Sequence, residues 1–278
     1  MVVKPRDAAT VVPIRKSCHS EDGIEVLIVL RHPKSKFVPG YYVYPGGRLD
    51  EGDYSSEIEN FCTDIDHKKA QRLIKDAFPS EKALGAWVAG IRETFEEVGL
   101  LLAYEEDGAL ISLNSEERRE KFSAYRRSLY EGKIKLKDIL KEEGLMLATD
   151  RLHYFSHWIT PELLPLRYDV RFFIAEMPEN QVVMHDGVEL IKHVWISPQD
   201  ALYEYEQKRI DMVLPTVMTL GELSKYRTVG DVILSTYKKD IPAILTKMSR
   251  LDDRFVEVMP DGRVITCRHP EYPQEDMP

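Results

Sequence analysis

The chain has 278 residues, of which 43% are hydrophobic and 31% are charged, so it can bury a core and is neither collagen-like nor disordered throughout. Its 38 Lys and Arg residues against 47 Asp and Glu residues give a formal net charge of −9, which disfavours general binding to nucleic acid. The longest aliphatic run, residues 26–30, is far below the ~20 residues that a membrane helix needs. Three widely spaced cysteines (Cys18, Cys62, Cys267) predict reduced thiols, and we expect a cytoplasmic globular protein.

Taken in chain order, apolar runs and helical periodicity predict strands interleaved with helices. Strands are expected at 11–14, 25–31, 41–44, 100–104, 153–159, 169–176 and 189–196. Helices are expected at 65–77, 81–98, 114–130, 135–143 and from 198 to about 249. The mixed charges of 114–143 predict a solvated face. Because no linker divides the chain, we predict one α/β or α+β sandwich, with helical insertions near 54–80 and 114–143 and a helical extension at about 198–250.

The most informative stretch is the helix that ends at Gly99. At 100° per residue, Glu93, Glu96 and Glu97 share a sector of ~100°, opposite the apolar residues of the helix. These like charges repel one another, and the helix dipole disfavours negative charge in the last turn by ~0.3–1 kcal/mol. A hard divalent cation would turn this repulsion into binding. The three acids taken alone are also compatible with a solvated acidic face.

Two segments together resemble the Nudix box, G-x5-E-x7-R-E-U-x-E-E-x-G-U, in which U is a bulky aliphatic residue. Residues 47–53 resemble its first half with Asp53 at the Glu position, and residues 92–100 match its second half apart from Thr94 at the first U. Between the halves lie 38 residues where the box has seven. This long insert and the upstream segment 27–47, which ends in Tyr-Pro-Gly-Gly, resemble the Nudix hydrolases related to peroxisomal coenzyme A diphosphatases.

The resemblance implies a Nudix fold, with a mixed sheet between helices, and metal-dependent hydrolysis of a nucleoside diphosphate linked to another group. The leading hypothesis is a coenzyme A or acyl-coenzyme A diphosphatase that releases 3′,5′-ADP and (acyl-)4′-phosphopantetheine. The alternative is a pyrophosphatase for ADP-ribose, NADH, nucleotide sugars or dinucleotide polyphosphates. A Nudix module that binds a nucleotide without cleaving it is a third hypothesis. In each case the partner is a small-molecule nucleotide, with no nucleic acid and no membrane, and a homodimer stays open.

The same resemblance implies a metal site and its ligands. Glu93, Glu96 and Glu97 would hold Mg²⁺ or Mn²⁺, with the carbonyl of Gly47 as a further ligand. Arg92 would orient the carboxylates without touching the metal. The shorter side chain of Asp53 leaves its supporting role open.

A general base and a set of phosphate-binding residues complete the expected site. Glu97 is the first candidate for the base and Glu189 is the second. Glu189 has two alternative roles, as an extra metal ligand or as a surface acid with no part in the site. The glycines Gly46 and Gly47 would let the backbone approach phosphate. The cations expected to bind phosphate, each with a surface ion pair as its alternative, are Arg31, Lys36, Arg167 and Arg171.

Overall fold

The computed structural model describes residues 2–19, 22–76, 80–237, 239–251 and 254–266. Its strands are β1 (Arg6–Lys16), β2 (Ile24–Arg31), β3 (Tyr42–Val43), β4 (Gly46–Arg48), β5 (Ala103–Tyr104), β6 (Met146–Leu147), β7 (His153–Ile159), β8 (Tyr168–Glu176), β9 (Leu190–Ile196), β10 (Ala243–Leu245), β11 (Lys247–Leu251), β12 (Arg254–Val258) and β13 (Val264–Thr266). Its α-helices are α1 (His67–Leu73), α2 (Ser80–Val98), α3 (Glu116–Tyr130), α4 (Leu136–Glu143), α5 (Pro198–Glu206), α6 (Leu214–Leu223) and α7 (Val229–Thr236). Within these ranges, no helix has both the length and the apolar character needed to cross a bilayer.

An eight-stranded mixed sheet organises the fold. Its strand order is β10-β7-β8-β1-β2-β3, with β4 also paired to β1 and β9 to β2. The central pair β1 and β8 is parallel, as is β7 with β10, and the other pairs are antiparallel. Strand β2 is buried along most of its length and is apolar from residue 26 to residue 30, as expected where a sheet is covered on both faces.

Alternate residues of the central strands face two different cores. Val11 of β1 and Phe173 of β8 lie in the core formed with α2, which includes Trp87. Val12 of β1 and Phe172 of β8 lie in the core formed with α6. Helix α2 and the later helix α6 therefore cover opposite faces of the sheet.

The predicted strands are all present, as are the helices up to residue 143, although α1 is shorter than expected. A short 3₁₀ helix, Glu51–Tyr54, leads into the insertion near 54–80, which contains a second 3₁₀ helix (Ile58–Phe61) and α1. The insertion at 114–143 contains α3 and α4. The helical extension, by contrast, is wrong beyond residue 236, where α7 ends. From residue 243, β10 adds to the edge of the sheet beside β7, and Ile244 packs in the core with α6. Pro242 removes a helical N–H at this point, and the open edge offers backbone partners instead. Cys267 lies outside the described residues.

Replacing Trp87 with Ala should lower the free energy of unfolding by about 3–5 kcal/mol, because it opens a cavity where α2 meets the sheet. The indole is 1% exposed, its ring centroid lies 4.7 Å from that of Phe173, and its Nε1 donates to the carbonyl of Leu152 at 3.0 Å. Urea denaturation measures the change. Leu234→Ala, at a site 66% exposed, is the control and should stay within ~0.5 kcal/mol of the unaltered protein. Equal losses in the two variants would contradict this account of the core.

Candidate active site

The acids of α2 meet the glycine turn that begins β4. Gly46 donates its backbone N–H to Oε2 of Glu97 at 2.9 Å. A Cβ placed on Gly47 would lie 2.5 Å from the carboxylate of Glu93, so only glycine permits this approach. The pairing of β4 with β1 fixes the turn, and the packing of α2 on the same sheet fixes the acids. The structure thus brings the two halves of the split box together.

Arg92 joins these halves through its guanidinium. Its Nε and Nη2 each donate to Asp53 at 2.9 Å in a bidentate pair, and Nη2 also donates to the carbonyl of Arg48 at 2.8 Å. Nη1 lies 2.9 Å from Glu93 and 3.2 Å from Glu96. The shorter acid at position 53 therefore still reaches the arginine, because it sits in a 3₁₀ turn that brings it inward, where it is 1% exposed. The geometry places Arg92 as an orienting group for two of the acids.

The three acids form a cluster in which Glu97 is buried and Glu93 and Glu96 are mostly covered, and Arg92 compensates their negative charge only in part. Burial raises the pKa of Glu93 to about 8, and it raises the pKa of Glu97 well above its usual range, with the neighbouring charge of Glu93 adding to the effect. Burial also raises the pKa of Glu96, against the opposing effect of Arg92. Carboxylate oxygens are hard ligands, and a divalent cation bound among them would supply the positive charge that this cluster lacks. The residues present therefore fit the metal that the box implies.

The C-terminal end of α2 is capped by Arg126, which the sequence analysis missed. This side chain of α3 donates to the carbonyls of Glu96 and Glu97, and also to that of Met184, each at 2.6 Å. A cation at this point satisfies carbonyls that have no partner within the helix and opposes its dipole. In sequence, Arg126 is one of several arginines in a charged helix, and no local signal separates it from the solvated ones.

The acids lie on one wall of a cavity of about 400 Å³. The predicted site residues that line this cavity are Arg31, Gly46, Gly47, Arg92, Glu93, Glu96, Glu97 and Glu189. Nη2 of Arg31 lies 3.8 Å from the Glu189 carboxylate, which is 46% exposed. Lys36 is exposed on the loop before Phe37 and is not among the lining residues. The first and second candidates for the general base thus share one cavity.

Two of the predicted phosphate-binding cations lie elsewhere. Arg167 is buried and donates to the carbonyls of Thr160 and Val3. Arg171 is buried in an ion-pair network with Asp7 and Asp169. Arg171 alternates along β8 with Tyr168, Val170 and Phe172, which line the cavity, so its side chain lies on the other face of the sheet. Arg167 directly precedes β8 and is also absent from the lining. Their observed contacts are structural.

The remaining walls of the cavity come from residues that the sequence analysis did not assign to the site. Aromatic and aliphatic side chains of the sheet dominate one side, and the start of α6 and two residues near the C-terminal strands complete it. These lining residues include Phe37, Tyr44, Trp158, Tyr168, Phe172, Leu214, Thr246 and Glu257. The cavity is therefore charged at one end and mostly apolar elsewhere. This arrangement suits a substrate that has a phosphate group and a less polar portion.

Replacing Gly47 with Ala should weaken Mn²⁺ binding by about 10-fold or more, because the added Cβ displaces the carboxylate of Glu93. Calorimetric titration with Mn²⁺ measures the affinity. Gly52→Ala is the matched control, because a Cβ there meets nothing within 4 Å. Unchanged affinity in the Gly47 variant would contradict the ligand role assigned to Glu93.

Replacing Arg126 with Met should lower the free energy of unfolding by about 2–3 kcal/mol, since three carbonyls lose a charged donor. The neighbouring Arg127→Met is the control and should change stability by less than ~0.5 kcal/mol, as its side chain is exposed. Denaturant unfolding of both variants gives the comparison. Equal stability of the two would mean that the cap contributes nothing.

Comparison with known proteins agrees with this architecture. The family model described as the NUDT19 Nudix domain matches residues 5–223. The chain is 25% identical over 265 residues to acyl-coenzyme A diphosphatase NUDT19 of Xenopus laevis, covering 85% of this chain and 70% of that protein, and 24% identical over 288 residues to the Gallus gallus protein of the same name, covering 90% and 75%. A crystal structure of a NUDIX hydrolase from Alicyclobacillus acidocaldarius superposes with a TM-score of 0.67 at 25% identity, covering 86% of this chain and 98% of that one. The predicted Nudix fold is confirmed, and the chain belongs to the Nudix hydrolases, in the family of the NUDT19 Nudix domain.

Proposed function

We propose that this protein is a divalent-metal-dependent diphosphatase that cleaves coenzyme A or acyl-coenzyme A into 3′,5′-ADP and (acyl-)4′-phosphopantetheine. The observation that carries the proposal is the cluster of Glu93, Glu96 and Glu97 at one wall of a cavity whose other walls are largely apolar. Arg92 holds the first two acids, and the backbone N–H of Gly46 holds Glu97. The relatives named acyl-coenzyme A diphosphatase support the choice of substrate. The proposal treats residues 1–278 as one Nudix domain, because residues on both sides of position 223 line the cavity.

The metal site consists of the three acids, with the carbonyl of Gly47 as a further ligand. Nudix hydrolases generally use divalent metal ions, and Mg²⁺ or Mn²⁺ suits these oxygen ligands. The chemistry that such cations supply when bound is neutralisation of charge on the phosphate oxygens. Arg92 keeps two of the carboxylates oriented, and its own bidentate pair with Asp53 holds it away from the substrate.

The remaining tasks are to orient the substrate and to accept the proton of the attacking water. Arg31 lines the cavity as a guanidinium that can pair with a phosphate, and its Nε is anchored on the carbonyl of Phe37 at 3.1 Å. Glu97 is the preferred base, because it lies beside the glycine turn and the other acids. Glu189 is the second candidate at the same cavity.

The test is mass spectrometry of the products after incubation with coenzyme A and Mg²⁺. We expect 3′,5′-ADP and 4′-phosphopantetheine, loss of turnover on addition of EDTA, and a fall in kcat of about 100-fold or more in Glu97→Gln. Glu117→Gln, an exposed position on α3, is the control and should keep full activity. If Glu189→Gln loses kcat and Glu97→Gln does not, the assignment of the base is reversed.

A panel of other diphosphates separates this proposal from its alternatives. Cleavage of ADP-ribose, NADH or a dinucleotide polyphosphate without cleavage of coenzyme A would refute the substrate and keep the hydrolase. Binding of these compounds without cleavage of any would refute catalysis and leave a nucleotide-binding module.

A further inference from the structure

The structure has a second cavity of about 400 Å³, beside the start of β1 and the end of β4. Arg171 of β8 lines this second cavity, whereas Val170 and Phe172 of the same strand line the cavity of the candidate active site. Because successive side chains of a strand point to opposite faces of the sheet, the second cavity borders the other face. Among the described residues, Arg48 alone lines both cavities.

Positive charge predominates around the second cavity, although the whole chain has a formal net charge of −9. The five cations of its lining are Lys4, Arg6, Arg48, Lys82 and Arg171. The three acids of its lining are Asp7, Asp76 and Asp169. This local excess of two positive charges favours an anion as the ligand.

The acids of the second cavity are directed at two of its five cations. Asp7 lies 2.6 Å from Nζ of Lys82 and 3.2 Å from Nη1 of Arg171. Asp169 lies 3.3 Å from the same guanidinium, and Asp76 lies 3.8 Å from its Nη2. Lys82 and Arg171 therefore have their counter-charges within the protein.

The other three cations are unpaired within the described part of the chain. The side chains of Lys4, Arg6 and Arg48 make no ion pair or hydrogen bond with any described residue, and all three are exposed. Arg171 is 4% exposed, and its Nε has no hydrogen-bond partner among the described residues. The second cavity thus presents three cations that a ligand can contact without breaking an existing pair.

A phosphate group suits these donors. Guanidinium groups bind phosphate oxygens through pairs of hydrogen bonds, and a dianion neutralises an excess of two positive charges. The volume of the second cavity falls within the range of sites for small organic ligands. Pro5, Leu49 and Tyr54 add apolar surface to its wall, which the rest of an organic phosphate would contact.

We propose that the second cavity is a binding site for a phosphate group, held by the side chains of Lys4, Arg6 and Arg48. The phosphate belongs to a small molecule, either an organic phosphate or inorganic phosphate itself. The site adjoins the segment that joins the two halves of the box, since the carbonyl of Arg48 accepts from Nη2 of Arg92 at 2.8 Å. None of the three side chains belongs to the metal cluster, so the inference is independent of the proposed function.

Calorimetric titration of the full chain with adenosine 5′-monophosphate and with inorganic phosphate, at low ionic strength and with EDTA, tests the site. We expect Arg6→Gln and Lys4→Gln each to weaken binding by about 5-fold, because each removes one cation from the phosphate. Lys16→Gln is the matched control, since it removes one charge from the exposed far end of the same strand. It should leave the affinity within about 2-fold.

The two probes and a further variant identify the ligand and its location. Tighter binding of adenosine 5′-monophosphate than of inorganic phosphate assigns the site to an organic phosphate, and equal affinities assign it to the free ion. Glu97→Gln should bind both probes as the unaltered protein does, because its carboxylate lies at the other cavity. The denaturation midpoints of Arg6→Gln and Lys4→Gln should be unchanged, as both side chains are exposed and unpaired among the described residues.

Three results would overturn the proposal. They are no binding of either probe by the unaltered protein, unchanged affinity in both Arg6→Gln and Lys4→Gln, and an equal loss in these variants and in Lys16→Gln. The last would show that only the overall charge of the protein matters. Because the titrations use no divalent metal and no coenzyme A, their outcome is separate from the test of cleavage.

Discussion

The guanidinium of Arg92 connects two segments that lie far apart in the chain, and the geometry of the candidate site depends on it. One edge of this group is held by both oxygens of Asp53 and by the carbonyl of Arg48, while Nη1 faces Glu93 and Glu96. The clustered acids are costly to bury together. A buried cation with fixed partners reduces that cost and sets where the carboxylates point, so the long insert between the two halves of the box does not disturb the site.

The insert and the later segments also contribute directly to the site. The 3₁₀ turn where the first half of the box meets the insertion carries Asp53 inward. The insertion at 114–143 supplies Arg126, which caps α2 at the residues that carry two of the acids. The loop before β9 adds backbone bonds to the same helix end, from Met184 to Val98 and from Asp186 to Glu97. Helix α2 is therefore fixed at its C-terminal end by segments that lie outside the box.

Successive side chains of β8 point to opposite faces of the sheet, and this alternation decides which of them border the cavity. On β8, Tyr168, Val170 and Phe172 face the cavity, while Arg171 faces the ion pairs on the other side. The alternation of side chains along β8 is visible in the sequence, but the sequence does not show which face of the sheet borders the cavity. The answer depends on which core α2 and α6 each cover.

The amino-acid sequence by itself determined seven of the strands, the helices up to residue 143, and the sector of α2 on which Glu93, Glu96 and Glu97 lie, because these follow from local periodicity. It did not predict the short strands β4 and β6 or the strands from β10 onward. It also determined the box, through residue types at fixed spacing. Only the tertiary structure decided that Asp53 reaches Arg92, that Arg126 caps α2, and that Thr246 and Glu257 line the cavity. Each of these contacts joins residues from separate elements, and their positions depend on how the chain packs rather than on any short pattern within it.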